Sequence, residues 1–249
     1  MPKSFRSRLR AGESLLGTMI TLPSAASAEV LAACGFDWLM IDCEHGPLEI
    51  RDVAAILQAV GNRVACVVRV PVGDEVSIKR VLDLGADGII VPQVNTAAQA
   101  KDVVRYSRYP PVGERGVGIA RAHGYGQQFA EYLQSANDSV AVIVQAEHIE
   151  SVNNIDAIVA VDGIDAVYLG PYDLSASLGK MGEIDDPAVV AAIDRVTSVC
   201  SQAAMPLGYF GVTAAAVQPY IKRGYSLITI GLDTMLLADA AKRTLSELR

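Results

Sequence analysis

The sequence predicts a single (β/α)8 barrel, and three observations carry that expectation. Short apolar runs rich in Val, Ile and Leu recur along the chain, the pattern of strands buried on both faces. Amphipathic helical stretches separate them, which calls for parallel pairing through right-handed crossovers. The 249 residues match the length of about 250 typical of one such barrel.

In order, the expected strands are LLGTMI (15–20), WLMID (38–42), ACVVRV (65–70), GIIVPQ (88–93), AVIVQAE (141–147), AVYLGP (166–171), PLGYF (206–210) and LITIG (227–231). Between them lie helical patterns such as RDVAAILQAVGN, EVSIKRVLDLG and TAAAVQPYIKRG, closed by the Gly or Asn that commonly stops a helix. Lys3, Arg6, Arg8 and Arg10 all precede the first acid, Glu13. A strand-like run follows them at once, so this leader reads as a short cationic helix and not as a cleavable transit peptide. Residues 109–138, from YPPVGERGVG to QSAND, break the rhythm between the fourth and fifth strands. A connection of that length is commonly a functional lid or a disordered insertion, and its ERG motif and tyrosines argue against disorder. No linker, low-complexity tract or longer repeat divides the chain, so residues 1–249 are expected to form one domain.

Composition narrows the function. With 51% hydrophobic and 20% charged residues, the chain can bury a large core. A net charge of −7 argues against a nucleic-acid surface, yet it allows a locally positive pocket for a small anion. No apolar run approaches the roughly 20 residues that cross a bilayer. Cys34, Cys43, Cys66 and Cys200 show no CxxC spacing and read as small core residues of a reduced, cytoplasmic protein.

Barrel enzymes build their sites at the C-terminal ends of the strands, so the polar residues placed there matter most. The second strand runs into Asp42-Cys43-Glu44-His45-Gly46-Pro47, and the third ends in Arg69. The fifth ends in Gln145-Ala146-Glu147, and the sixth runs out through Gly170-Pro171-Tyr172-Asp173. Glu147 and Asp173 suit a hard divalent cation, which one or two carboxylates hold while water and substrate complete the shell. The alternative is that they pair with arginines or cap the following helices. Arg69 leaves an almost wholly apolar strand; it either stabilises a developing oxyanion or makes a structural ion pair. His45 stands three residues after Asp42, a spacing that could orient an imidazole for acid–base work or simply place a loop histidine. No lysine falls in a strand, which argues against Schiff-base chemistry and for a metal as electron sink. GERGVG lacks dinucleotide-loop spacing, and no Walker loop, HExxH or GxSxG is present.

Taken together, IDCEHGP, VVRVP, VLDLGADGIIVPQV, YPPVGERGVG, the QxE of QAEH, GPYDLSASLG and IGLDTMLL are similar to the motifs of the HpcH/HpaI aldolase family. They span about residues 17–237, and EHGP with GPxDLS is the most specific pair. The resemblance implies a class II pyruvate aldolase, like those for 4-hydroxy-2-oxoheptanedioate and 2-dehydro-3-deoxyglucarate. Such an enzyme reversibly cleaves a 4-hydroxy-2-oxo acid to pyruvate and an aldehyde through a metal-stabilised pyruvate enolate. Carried over by motif, Glu147 and Asp173 are the metal ligands for Mg2+, Mn2+ or Co2+, Arg69 stabilises the enolate, and His45 is the base oriented by Asp42. Gln145 binds the pyruvate moiety, and the amides of the Gly170–Asp173 turn, with Pro171 and Tyr172, hold its carboxylate. Asp83 matches a residue that reaches a neighbouring subunit's site. The family implies a homohexamer, a trimer of dimers, with the C-terminal helix TMLLADAAKRTLSELR exchanged between subunits. Tyr172 stands where alanine or serine is common, Phe210 where a small aliphatic is usual, and His148 where threonine or serine is frequent. The aromatic pair reshapes the acceptor side of the pocket. The competing activities are an oxaloacetate-type decarboxylase and a CoA-ester lyase, the latter needing a basic patch such as the Arg105–Arg121 region.

Overall fold

The computed structural model describes residues 3–249. Eight strands, β1 (Leu15–Ile20), β2 (Trp38–Asp42), β3 (Ala65–Arg69), β4 (Gly88–Val91), β5 (Ala141–Ala146), β6 (Ala166–Leu169), β7 (Leu207–Gly211) and β8 (Leu227–Leu232), pair in parallel and in sequence order. β8 closes back on β1, so the sheet is a barrel with no open edge. The helices are α1 (Phe5–Arg10), α2 (Ala25–Ala32), α3 (Ile50–Val60), α4 (Glu75–Asp83), α5 (Ala97–Ser107) and α6 (Phe129–Ser139). They continue as α7 (Ile149–Asn153), α8 (Ile155–Val159), α9 (Pro171–Ser177), α10 (Pro187–Gln202), α11 (Ala214–Lys222) and α12 (Asp233–Ser246). Ser24, Asp74, Thr96, Asp186 and Thr213 each cap a helix by accepting from a first-turn backbone N–H, satisfying a donor the helix itself cannot.

All eight expected strands form. Several end earlier than the apolar runs do: Pro92, Gln93, Glu147 and Pro171 lie beyond their strands. Proline cannot donate to a ladder, and the polar residues turn off it towards the barrel's mouth.

Strand periodicity sorts the core into two layers. Ile20, Leu39, Ile41 and Val68 face outward and pack with the helices. Trp38, Met40, Val67, Ile143 and Tyr168 fill the interior. Tyr168 fits because Gly208 opposes it, where an added Cβ would lie 2.3 Å from the ring; its hydroxyl donates to Thr229 Oγ1 at 2.6 Å. At the N-terminal end of the strands α1, the expected cationic helix, plugs the base. Phe5 and Leu9 enter the interior cluster, and the Phe5 ring stands 5.9 Å from that of Trp38.

The 109–138 segment is not a lid. α5 has already returned to the base and β5 starts there, so the segment lies at the end of the barrel opposite the expected site. Arg121 donates to the carbonyls of Leu84 and Leu57, at the ends of α4 and α3. Arg115 is buried between the rings of Tyr109 and Tyr132. Cys66 and Cys200 are buried as expected, Cys43 is partly so, and Cys34 is exposed. No helix among the described residues is long and apolar enough to cross a membrane.

Candidate active site

Asp42 and Arg69 end neighbouring strands and are register partners. Their side chains follow the inward parity of Met40 and Val67, so they meet above the core. Arg69 donates from Nε to Asp42 Oδ1 at 2.8 Å and from Nη2 to Oδ2 at 2.7 Å. Both residues are buried, at 7% and 1% exposure. Burial opposes the guanidinium's charge most strongly of any single effect, but the Asp42 hydrogen bonds together with the charges of Asp42 and Glu44 hold the pKa above its ordinary value. Nη1 is left facing Glu44 Oε2 at 3.3 Å.

The expected Asp42–His45 arrangement is different in the structure. Asp42 Oδ1 accepts from the backbone N–H groups of Glu44, at 3.1 Å, and His45, at 3.5 Å, and its remaining capacity goes to Arg69. It therefore shapes the turn and does not orient the ring. The imidazole stands at the rim with its side chain 65% exposed and Nε2 3.9 Å from Glu44 Oε2. Strand register decided the outcome: the partner 27 residues away is closer to the carboxylate than the ring three residues away.

Glu44 is the site residue that motif reasoning passed over. Its Oε2 is buried without a hydrogen-bond partner, between the guanidinium and the imidazole. Burial pushes its pKa up to about 7; Glu147 and Asp42 add to this, while Arg69 and His45 oppose it. One signal was available in the sequence, namely an acid and a histidine adjacent on the loop that leaves a wholly buried strand.

Across the mouth, Glu147 follows β5 and is 2% exposed. Gln93 donates its backbone N–H to Glu147 Oε1 at 2.7 Å from a left-handed conformation, φ 55°, that is uncommon for a side chain larger than glycine. The Gln145 amide N–H donates to Glu147 Oε2, and Gln145 Oε1 is left buried without a partner. In this orientation Gln145 presents its carbonyl oxygen, and the second N–H of its amide, to a ligand. Gly170 is required here, because a Cβ would lie 2.8 Å from Glu147 Cβ and 3.1 Å from Gln145 Nε2. Its N–H is used by Ala146 O and Pro171 has none, so the turn keeps the amides of Tyr172 and Asp173 for a ligand.

Burial raises the Glu147 pKa, and Asp173 raises it further. Two carboxylates on one side of the mouth, beside an orphaned amide oxygen, suit a hard divalent cation.

These polar groups occupy the β2–β6 side of the mouth. The remaining sector is apolar: Phe210 on β7, Leu232 ending β8 and Met19 on β1, with Tyr172 at its edge. A cavity of about 310 Å3 lies between the two sides.

Other expected residues lie elsewhere. Asp83 ends α4 at the base and accepts from Arg115 Nη2 at 2.7 Å, so it is not part of its own chain's mouth. The Arg105–Arg121 region offers no basic patch. Arg105 is taken by Asp102 and Glu114, Arg108 by Asp165, Arg115 by Asp83, and Arg121 by backbone carbonyls. His148 caps α7 by accepting from Glu150 N–H at 3.1 Å.

The profile of the HpcH/HpaI aldolase/citrate lyase family matches residues 16–240. A 4-hydroxy-2-oxovalerate aldolase of Rhodococcus jostii (strain RHA1) is 44% identical over 238 residues, covering 94% of this chain and 92% of that one. A 4-hydroxy-2-oxo-heptane-1,7-dioate aldolase of Shigella sonnei (strain Ss046) is 40% identical, covering 97% and 93%. The crystal structure of an HpcH/HpaI aldolase/citrate lyase family protein from Burkholderia cenocepacia J2315 superposes with a TM-score of 0.94 at 41% identity, covering 98% of both chains.

Proposed function

Since the chain belongs to the HpcH/HpaI aldolase/citrate lyase family, we propose that it is a carbon–carbon lyase of the class II aldolase type, reversibly cleaving a 4-hydroxy-2-oxo acid to pyruvate and an aldehyde. The substrate names of the two relatives share the 4-hydroxy-2-oxo acid end and differ at the far end, where one carries a second carboxylate. The carrying observation is that two buried oxygens without a hydrogen-bond partner, Glu44 Oε2 and Gln145 Oε1, flank one mouth together with Arg69 and Glu147. Buried polar groups are otherwise almost always satisfied.

The amides of Tyr172 and Asp173 bind the substrate carboxylate. His45 takes the proton of the C4 hydroxyl, the C3–C4 bond breaks, and its electron pair passes to the enolate of pyruvate. Arg69, held rigid by Asp42, stabilises that oxyanion through Nη1, and a proton delivered to C3 completes pyruvate. Glu147 and Asp173 would hold Mg2+, Mn2+ or Co2+, which would supply Lewis-acid polarisation of the keto oxygen.

Asp83, at the base of its own barrel, would serve a neighbouring subunit in a hexamer built as a trimer of dimers. The exposed leucines of the C-terminal segment, Leu237 at 65% and Leu248 at 83%, support its exchange between subunits. The proposal holds residues 1–249 to be one domain of a cytoplasmic protein whose four cysteines are free.

Pyruvate release from several 4-hydroxy-2-oxo acids and from oxaloacetate, before chelation, after it and with metal restored, tests the reading. Cleavage of the hydroxy acids should vanish on chelation and return with metal. Activity indifferent to thorough chelation would remove the metal assignment, and release from oxaloacetate alone would make the protein a decarboxylase.

A further inference from the structure

We propose that the acceptor half of the mouth takes an uncharged aldehyde with a short apolar or aromatic substituent, and not one ending in a carboxylate. This rests on the aldolase reading above and adds the chemical class of its second product. The pyruvate end of the substrate is fixed among the polar groups, so its C4 substituent must extend towards the β7–β8–β1 sector. There Phe210, Leu232 and Met19 form the wall, and Tyr172 offers a ring that is 51% exposed.

Charge points the same way. Arg69 is the only lysine or arginine among the described residues lining this cavity, and Asp42 holds it through two hydrogen bonds. The Thr21 hydroxyl, which also lines the cavity, donates to Asp233 Oδ1 at 2.7 Å. Asp233 is itself buried and also accepts from the N–H groups of Thr21, Leu22 and Thr234. A terminal carboxylate would therefore lose water against carbon, with Asp233 behind the wall, Asp173 at its side and no free lysine or arginine among the described lining residues to meet it. An alkyl or aryl group gains by burying its own apolar surface in the same place.

The test uses the assembled protein with Mn2+ and two substrates of equal chain length, whose aldehyde halves are butanal and succinic semialdehyde. kcat/KM for pyruvate release is compared between them. In parallel, NMR follows exchange of the pyruvate methyl protons with D2O, which requires enolisation but no aldehyde. The expected result is methyl exchange together with a preference of at least about tenfold for the butanal-derived acid. Phe210→Arg places a cation on the wall and should narrow or invert that ratio. Tyr172→Arg does the same from the exposed rim if the first variant fails to fold. Exchange with equal or reversed preference overturns the acceptor assignment alone. A ratio unmoved by both variants overturns the wall as its cause. Absence of exchange overturns the aldolase reading, and this assignment falls with it.

Discussion

Buried arginine–aspartate clusters close both ends of this barrel, and they are wired differently. At the base, Asp165 accepts from Arg6 Nε at 2.8 Å, Arg108 Nη2 at 3.2 Å and Val142 N–H at 2.9 Å. The arginines spend further donors on the carbonyls of Asn137 and Val140. Burial, with Arg6 close by, brings the Arg108 pKa down to about 10, the mark of two cations sharing one carboxylate. At the mouth Asp42 is just as fully engaged, yet the groups around the pair are not: Glu44 Oε2 and Gln145 Oε1 have no hydrogen-bond partner. A buried arginine by itself does not tell a brace from a site. What separates the two ends is the kind of group left open: at the mouth they are the acceptor oxygens Glu44 Oε2 and Gln145 Oε1, whereas at the base they are Arg115 Nε and His123 Nδ1, packed against the rings of Tyr109, Phe129 and Tyr132 with no room for a ligand.

The largest expected effect breaks the brace. Asp165→Ala leaves Arg6 and Arg108 buried without their carboxylate and should cost about 3–5 kcal/mol of stability. Urea unfolding would measure this, while turnover per folded protein stays near wild type. A loss below about 0.5 kcal/mol, the size of an ordinary surface change, would show that the base does not depend on this pair. Next comes Arg69→Lys, which keeps a cation beside Asp42 but loses the fork that grips it while aiming Nη1. Turnover should fall about 10²–10³-fold with a much smaller stability loss than Asp165→Ala. Turnover within about threefold of wild type would mean that charge alone suffices and the oriented oxyanion role is wrong.

The contrast between the ends also explains what could be read from the sequence. The strands were legible because interior parity leaves continuous apolar runs such as WLMI and AVIV, and parity placed Arg69, Gln145 and Glu147 at the rim. The pairing among the rim residues was not legible. Proximity in the chain joined Asp42 to His45, whereas register joins Asp42 to Arg69, and register is a property of the closed sheet. The 109–138 segment looked like a lid because its length is visible and its place at the base is not; that follows only from where α5 ends and β5 begins. Glu44 was passed over because one carboxylate in a loop carries no pattern. Its importance comes from burial among other charges, and the fold alone creates that.

Glu44 also gives the smallest and sharpest test of the comparison. Burial holds its carboxyl near 7, well above the ordinary 4.5, so between those values the folded protein keeps a proton that the unfolded chain has released. The stability this contributes is whole below about pH 4.5 and is lost as the pH rises through 7. The group is partly open to solvent, which reduces the effect but leaves its sign. Metal-free protein should therefore unfold at lower urea at about pH 8 than at about pH 5. Glu44→Gln, neutral throughout, should flatten that difference while Asp165→Ala leaves its slope in place. If Glu44→Gln kept the full wild-type slope, the proton would reside on another carboxyl that burial raises, Glu147 at the mouth or Asp87 beside the start of β3. Glu147, raised by burial and by Asp173, would then be the group to replace next, because it is buried with a like charge nearby and no arginine bonded to it.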